Sequence, residues 1–158
     1  MRLARVVPFL CAGAFLGLTS DVATAAADPA AGLWKTIDDV TGKPKSIARL
    51  WEADGELRGK IERIFPEPGE DPAPKCDKCS GEKHDQPVIG MEFLWGFRRD
   101  KEGWADGYVL DPDNGKTYHA TIRVIDGGQR LRLYGYIKII IKIGRGQTWL
   151  RATEADLR

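Results

Sequence analysis

Short runs in which polar and apolar residues alternate follow one another along this chain, and they constrain its fold more than any other feature. In residues 56–65, Leu57, Gly59 and Ile61 fall on one side and Arg58, Lys60 and Glu62 on the other. A period of two places successive side chains on opposite faces of a strand, one toward a core and one toward water. The same alternation marks residues 46–52, 88–97 and 117–125, and residues 104–110 read as a further strand. It also marks the series Leu131, Leu133, Gly135, Ile137, Ile139, Ile141 and Ile143, which reads as one long strand or as two with a bend. Turn formers separate the runs: Asp38 to Pro44, Asp54-Gly55, Glu102-Gly103, Asp111 to Gly115 and Gly127-Gly128. No segment after residue 27 carries a helical period. The pattern predicts an all-β chain of eight to nine short strands, and sequential up-and-down connection favours an antiparallel barrel over a sandwich.

A barrel leaves no free edge only if its first strand pairs with its last. The first strand is predicted over Gly32 to Ile37, centred on Trp34, and the last over 147–151, with Trp149 and Arg151. A Trp on one and an Arg on the other can stack where the two meet. Arg145 is the second candidate for that contact, so Trp34, Arg145, Trp149 and Arg151 form the expected closure set.

The first 27 residues read as a secretory leader. Arg2 and Arg5 supply a positive start, residues 6–18 are almost wholly apolar, and Ala23-Thr24-Ala25 and Ala25-Ala26-Ala27 both fit a small-residue cleavage site. The apolar run is shorter than the roughly 20 residues a spanning helix needs. The expected organisation is a leader at 1–27 and one barrel domain at 28–158, exported to the periplasm or the exterior. Cleavage would remove Arg2, Arg5 and Asp21 from 24 basic and 23 acidic residues, leaving charges that cancel. Such a balance gives no electrostatic footprint for nucleic acid, and no later apolar run is long enough to span a bilayer. Composition leaves the oligomeric state open.

Residues 66–87 form the longest irregular stretch, with five prolines, two glycines and both cysteines outside the leader. A loop of this length in a small domain is functional or disordered, and the cysteine pair argues that this one is tied down. Cys76 and Cys79 admit several readings. A local disulfide ranks first in an oxidising compartment. A metal site would use both thiolates and His84, with Asp77 or Asp85 nearby, but a second C-x-x-C is lacking. Redox catalysis normally sets the first Cys at a helix N-terminus, and none is expected here. Two free thiols are the fourth.

Other polar residues carry little chemistry. His119 falls on the polar face of its strand and is expected to be solvated. Three serines, one of them in the leader, give no Ser-His-Asp arrangement. Asp38 and Asp39 precede Gly42 and are expected to cap a turn, although paired carboxylates also serve acid–base catalysis. Asp111-x-Asp113-x-Gly115 lacks the acidic residue that would complete a calcium loop. No cofactor motif is present, and the chain is expected not to be an enzyme. The most apolar strand face carries Met91, Phe93 and Trp95. With Tyr108 and Tyr118 it is the candidate lining for a small ligand, set against ordinary core packing.

The residues Gly32-x-Trp34, Asp38-Asp39-x-Thr41-Gly42-Lys43, Cys76-Asp77-Lys78-Cys79, Asp111-Pro112-x-Asn114-Gly115-Lys116-x-Tyr118, Gly135-Tyr136 and Gly144-Arg145-x-Gln147-x-Trp149 resemble the bacterial DUF2147 family. The resemblance spans essentially the whole chain after the leader. It implies an exported, lipocalin-like β-barrel without established activity, in which the barrel shape suggests binding of a hydrophobic ligand. The chain departs from the family pattern at Tyr134 and in the isoleucine-rich segment 138–143. Three functions are therefore set out. One is a non-catalytic binder of a small apolar or amphipathic molecule at the barrel mouth. The second is a structural or interaction protein with a filled barrel and a disulfide-stapled contact loop. The third is a redox or metal-dependent enzyme.

Overall fold

Eight strands follow one another without a crossover and close on themselves: β1 (Gly32–Ile37), β2 (Pro44–Ala53), β3 (Glu56–Ile64), β4 (Glu92–Arg99), β5 (Trp104–Asp111), β6 (Lys116–Ile125), β7 (Arg130–Lys138) and β8 (Lys142–Ala152). This computed structural model describes residues 27–138 and 142–158. Residues 1–26, in the expected leader, lie outside the described residues, as do Ile139 and Ile141. All neighbours pair antiparallel, and β1 meets β8 at Leu33↔Ala152, Trp34↔Arg151 and Lys35↔Leu150. The up-and-down barrel expected from the alternation is thus the fold, with eight strands, and the long isoleucine series is a hairpin of two. No helix among the described residues is long and apolar enough to cross a membrane.

Antiparallel sequence order sorts the connections between two ends. One end, here called the base, holds the β2–β3, β4–β5 and β6–β7 turns and residues 28–31. The other, the mouth, holds the β1–β2, β3–β4 and β5–β6 connections, together with the Lys138 end of β7 and the Lys142 end of β8. At the base, the Arg151 guanidinium lies 3.7 Å from the centre of the Trp34 ring. It donates to the carbonyls of Gly128 and Ala31 at 2.9 Å and of Pro29 at 2.5 Å. The Trp34 indole N–H donates to Ala30 at 2.8 Å. The Asp28 carboxylate, only 2% exposed, pairs with Arg99 and accepts from the Ala30 N–H and the Trp104 indole. Residues 28–31 therefore seal the base, their backbone groups paired as burial demands.

The interior above that seal is packed. Trp34, Trp104, Trp149, Phe97, Leu50, Leu57, Leu94, Ile122 and Leu131 are almost wholly buried in one cluster. Each such side chain contributes about 1.5–3 kcal/mol. Phe97 lies so close to Gly107 that a Cβ there would fall within its ring. Strand β4 reaches this packing through two bulges. Gly59 faces Leu94 and Lys60 faces Glu92, so Phe93 is an extra residue; Leu57 faces Phe97, so Trp95 and Gly96 together oppose one residue. Gly96 takes φ +71° there. Bulges of this kind break the period of two locally.

A second, smaller cluster covers the outside of β1 and β2: Leu33, Ile47 and Ala152, with Phe65 and Leu157 packed on it. The chain end makes this possible. Beyond β8 the chain forms a 3-10 turn at Glu154–Leu157 with a Thr153–Asp156 capping box. Lys35 pairs with Asp156 at 2.7 Å and Arg49 with Glu154 at 3.1 Å.

Candidate functional site at the barrel mouth

Strand parity decides which residues line the mouth. Ala120 and Ile122 are buried inside the barrel and face Gly135 and Leu133 on β7. A Cβ at Gly135 would point at Val109 Cγ1 and Tyr118 Cβ, 3.7 and 3.8 Å away. Gly135, Val109 and Tyr118 therefore face the lumen. On β8 the rungs Leu133↔Gln147, Gly135↔Arg145 and Ile137↔Ile143 place Gln147, Arg145 and Ile143 on that same side. The β6–β7 ladder ends at Tyr136 and the β8–β1 ladder at Leu150, so beyond them, among the described residues, this hairpin pairs only with itself. Ile137 and Ile143, directly opposite each other there, remain 51% and 58% exposed. Below them Phe93 and Trp149 form a floor, their rings 6.1 Å apart. On the neighbouring strands β1 and β2, the Thr36 and Ser46 hydroxyls satisfy each other at 2.7 Å.

A polar chain descends from rim to floor. Arg145 Nη2 meets Asp39 Oδ2 at 2.8 Å, Gln147 Nε2 donates to the same oxygen at 3.4 Å, and the Trp149 indole N–H donates to Gln147 Oε1 at 3.3 Å. Asp39 comes from the β1–β2 turn, which its neighbour Asp38 holds in shape. Asp38 Oδ1 accepts from the Thr41 N–H at 2.7 Å, the Thr41 hydroxyl at 2.9 Å and the Val40 N–H at 3.0 Å. Those donors, the Thr41 N–H foremost, hold the Asp38 carboxyl below its ordinary pKa. The two aspartates thus divide the work: Asp38 caps the turn as expected, and Asp39 does not cap it but pairs with Arg145.

The expected closure set separates in the same way. Trp34 and Arg151 stack at the seam. Arg145 and Trp149 lie outside the three β1–β8 rungs, and Arg145 reaches the β1–β2 turn instead of the Trp34 ring. The expected ligand lining also splits. Tyr118 faces the lumen. Phe93 and Met91 are buried, Phe93 against Trp149 and Met91 at the foot of β4, where the Ile61 N–H donates to its carbonyl. Trp95 and Tyr108 face outward. The bulges of β4 turn Trp95 over, and Tyr108 sits between the inward Gly107 and Val109. Outside they begin a row of rings across four strands: Trp95, Tyr108, His119 and Tyr136, then Tyr134 on the same strand, with centroids 4.9–5.9 Å apart. His119 is on the outer face as expected but lies between two tyrosines, not bare in solvent.

Cys76 and Cys79 form a disulfide and are both buried. Their loop sits on the β5–β6 turn. Lys78 Nζ donates to the Asp113 carbonyl at 2.9 Å, and the Lys78 carbonyl lies against Gly115, where any Cβ would collide with it. The disulfide withdraws both sulfurs from the metal set proposed with His84, whose Nδ1 is 3.0 Å from the Cys79 carbonyl. Among the described residues no three His, Cys, Asp or Glu side chains cluster to hold a metal. A pocket of about 310 Å³ opens outside the barrel between this loop and β4–β6, lined by Cys79, Ser80, Glu82, Lys83, Trp95 and Leu110 among others.

Sequence reading missed Asp39 and Gln147 as partners of Arg145. The signal was present: Arg145, Gln147 and Trp149 are spaced i, i+2, i+4, which places all three on one face of a strand.

The model of a family described as "Uncharacterized protein conserved in bacteria (DUF2147)" matches residues 32–151. Among curated proteins none matches the chain. Among solved structures, the chain is similar to a Helicobacter pylori protein, HP1028, described as belonging to the lipocalin family. The two are 19% identical, with a TM-score of 0.67 over 80% of this chain and 85% of that one. At that identity the likeness establishes the lipocalin-like fold alone.

Proposed function

The chain belongs to the bacterial DUF2147 family, and on that premise we propose that it is an exported, non-catalytic barrel that holds a small apolar or amphipathic molecule at its mouth. The observation that carries this reading is the Ile137–Ile143 rung. Single exposed apolar side chains are common on proteins. Here two are directly paired, on the lumen side, above an aromatic floor, and each keeps more than half its surface in water. Covering them would return roughly 25 cal/mol for each Å² removed from water. The packed lower interior supports a shallow site, with the ligand above Phe93 and Trp149 and not beside Trp34. The positive start, apolar stretch and small-residue cleavage site of the leader support export.

The test is titration of the purified mature protein with fatty acids, fatty alcohols and sterols, read by tryptophan fluorescence, alongside extraction of lipid from protein isolated from its own compartment. Trp149 lies in the floor, so occupancy is expected to change its emission. No co-purifying lipid together with an unresponsive spectrum would sink the reading.

A second reading has its own support. The well-filled lower barrel and the seating of the Cys76–Cys79 loop beside the outer pocket fit an interaction protein that uses this loop as a contact surface. Binding of a protein partner that is lost on reduction of the disulfide, with no ligand at the mouth, would favour it over the first.

A further inference from the structure

Resting on the mouth reading above, we infer that the occupant carries an anionic head group, a carboxylate or a phosphate, and that Arg145 receives it. Arg145 lies one lumen-side rung below Ile143, two residues along the strand, which is about 6.6–6.8 Å. A chain laid along the Ile137–Ile143 rung therefore brings its head to the guanidinium. Gly135 stands opposite Arg145, so the β7 residue that faces it contributes no side chain.

The ion pair already present indicates the sign of the charge. Asp39 places a carboxylate on Arg145 at the mouth, through one oxygen that Gln147 also serves. Two donors thus converge on that oxygen. The Arg145 side chain is 68% exposed, and among the described residues its ion-pair partner is Asp39, which leaves most of its five N–H donors uncommitted. The free bonding capacity belongs to the cation. A guanidinium fork matches carboxylate and phosphate oxygens in pairs, so an incoming anion can take a bidentate geometry on the uncommitted N–H donors. In this arrangement Asp39 is a resident competitor. It keeps Arg145 turned toward the turn at the rim and is exchanged for the ligand's own anion.

The test compares decanoate and decyl phosphate with 1-decanol, which share one chain, on the mature protein by calorimetry and tryptophan fluorescence. Charge-assisted hydrogen bonds to an ionised group contribute about 1.5–3 kcal/mol, so the anions should bind on the order of 10-fold tighter than the alcohol, or more. Arg145→Gln should abolish that preference, bringing the anions down to the affinity of decanol for the same variant, and Arg145→Lys should restore part of it. Asp39→Asn should tighten anion binding several-fold, an effect that loss of a merely structural ion pair would not produce. Thermal unfolding of each variant checks that it folds. Equal binding of all three ligands, or a preference that survives Arg145→Gln, would overturn the inference and leave the mouth reading standing. Failure of all three to bind would overturn both.

Discussion

Two charged residues show how context sets the worth of a single side chain. Arg151 stacks on Trp34 and donates to three backbone carbonyls at the base, so one guanidinium fastens β8, the β6–β7 turn and the segment before β1. Burial lowers its pKa, but the ring and the carbonyls face the charged form. Arg151→Ala should cost roughly 2–4 kcal/mol in urea unfolding, because it strands those carbonyls as well as removing the stack. Arg151→Lys should recover little, since an ammonium cannot reach three acceptors in a plane. Asp156 is different, being at the surface. Its bond from Lys35, followed by those from Thr153, lowers its pKa to about 2. A carboxyl depressed on folding contributes stability above its unfolded pKa of about 4 and loses it as pH falls through the folded value. The thermal midpoint should therefore drop between about pH 4 and pH 2, and Asp156→Asn should flatten that part of the profile. The closure pair was legible in sequence because a barrel must join its ends and only a few residues stand there. The Arg145–Asp39 pair was not, since no spacing rule relates a turn at residue 39 to a strand position 106 residues later.

Elements were legible wherever the backbone kept its period. Asp54-Gly55 was read as a hairpin turn, and both residues take positive φ, 53° and 76°, as a two-residue turn between right-twisted strands requires. Strand β4 departed from that period. Its alternation put Trp95 with Met91 and Phe93, but two bulges add a residue each and reverse the faces, and residue type alone does not announce a bulge. Position Gly107 tests this packing. Gly107→Ala would drive a methyl into the Phe97 ring and should destabilise the fold by roughly 1–3 kcal/mol in denaturant titration. Phe97→Leu in the same chain should relieve part of that cost. The Cys76–Cys79 loop calls for a smaller effect. The disulfide closes a span with a sequence separation of 3, so it restricts little of the unfolded chain. Reduction should cost about 2 kcal/mol or less and leave the far-ultraviolet circular dichroism of the sheet unchanged.

At the scale of the molecule, the eight strands divide the barrel into a sealed base and an open mouth. Residues 28–31, Trp34 and Arg151 close one end, the aromatic and leucine core fills the middle, and the self-paired end of the β7–β8 hairpin leaves isoleucines uncovered at the other. Closure was foreseeable, because a chain of sequential amphipathic strands has few other ways to hide its edges. How far the interior fills was not, since inward positions read the same whether their side chains meet across the lumen or line a cavity. The position of an occupant can be read directly from isoleucine methyl resonances of the mature protein during titration with decanoate. A ligand at the mouth requires shifts at Ile137 and Ile143 while Ile47, buried under the chain end on the outer face, stays still. Shifts at Ile47 with none at Ile137 and Ile143, or none at any isoleucine methyl, would contradict it.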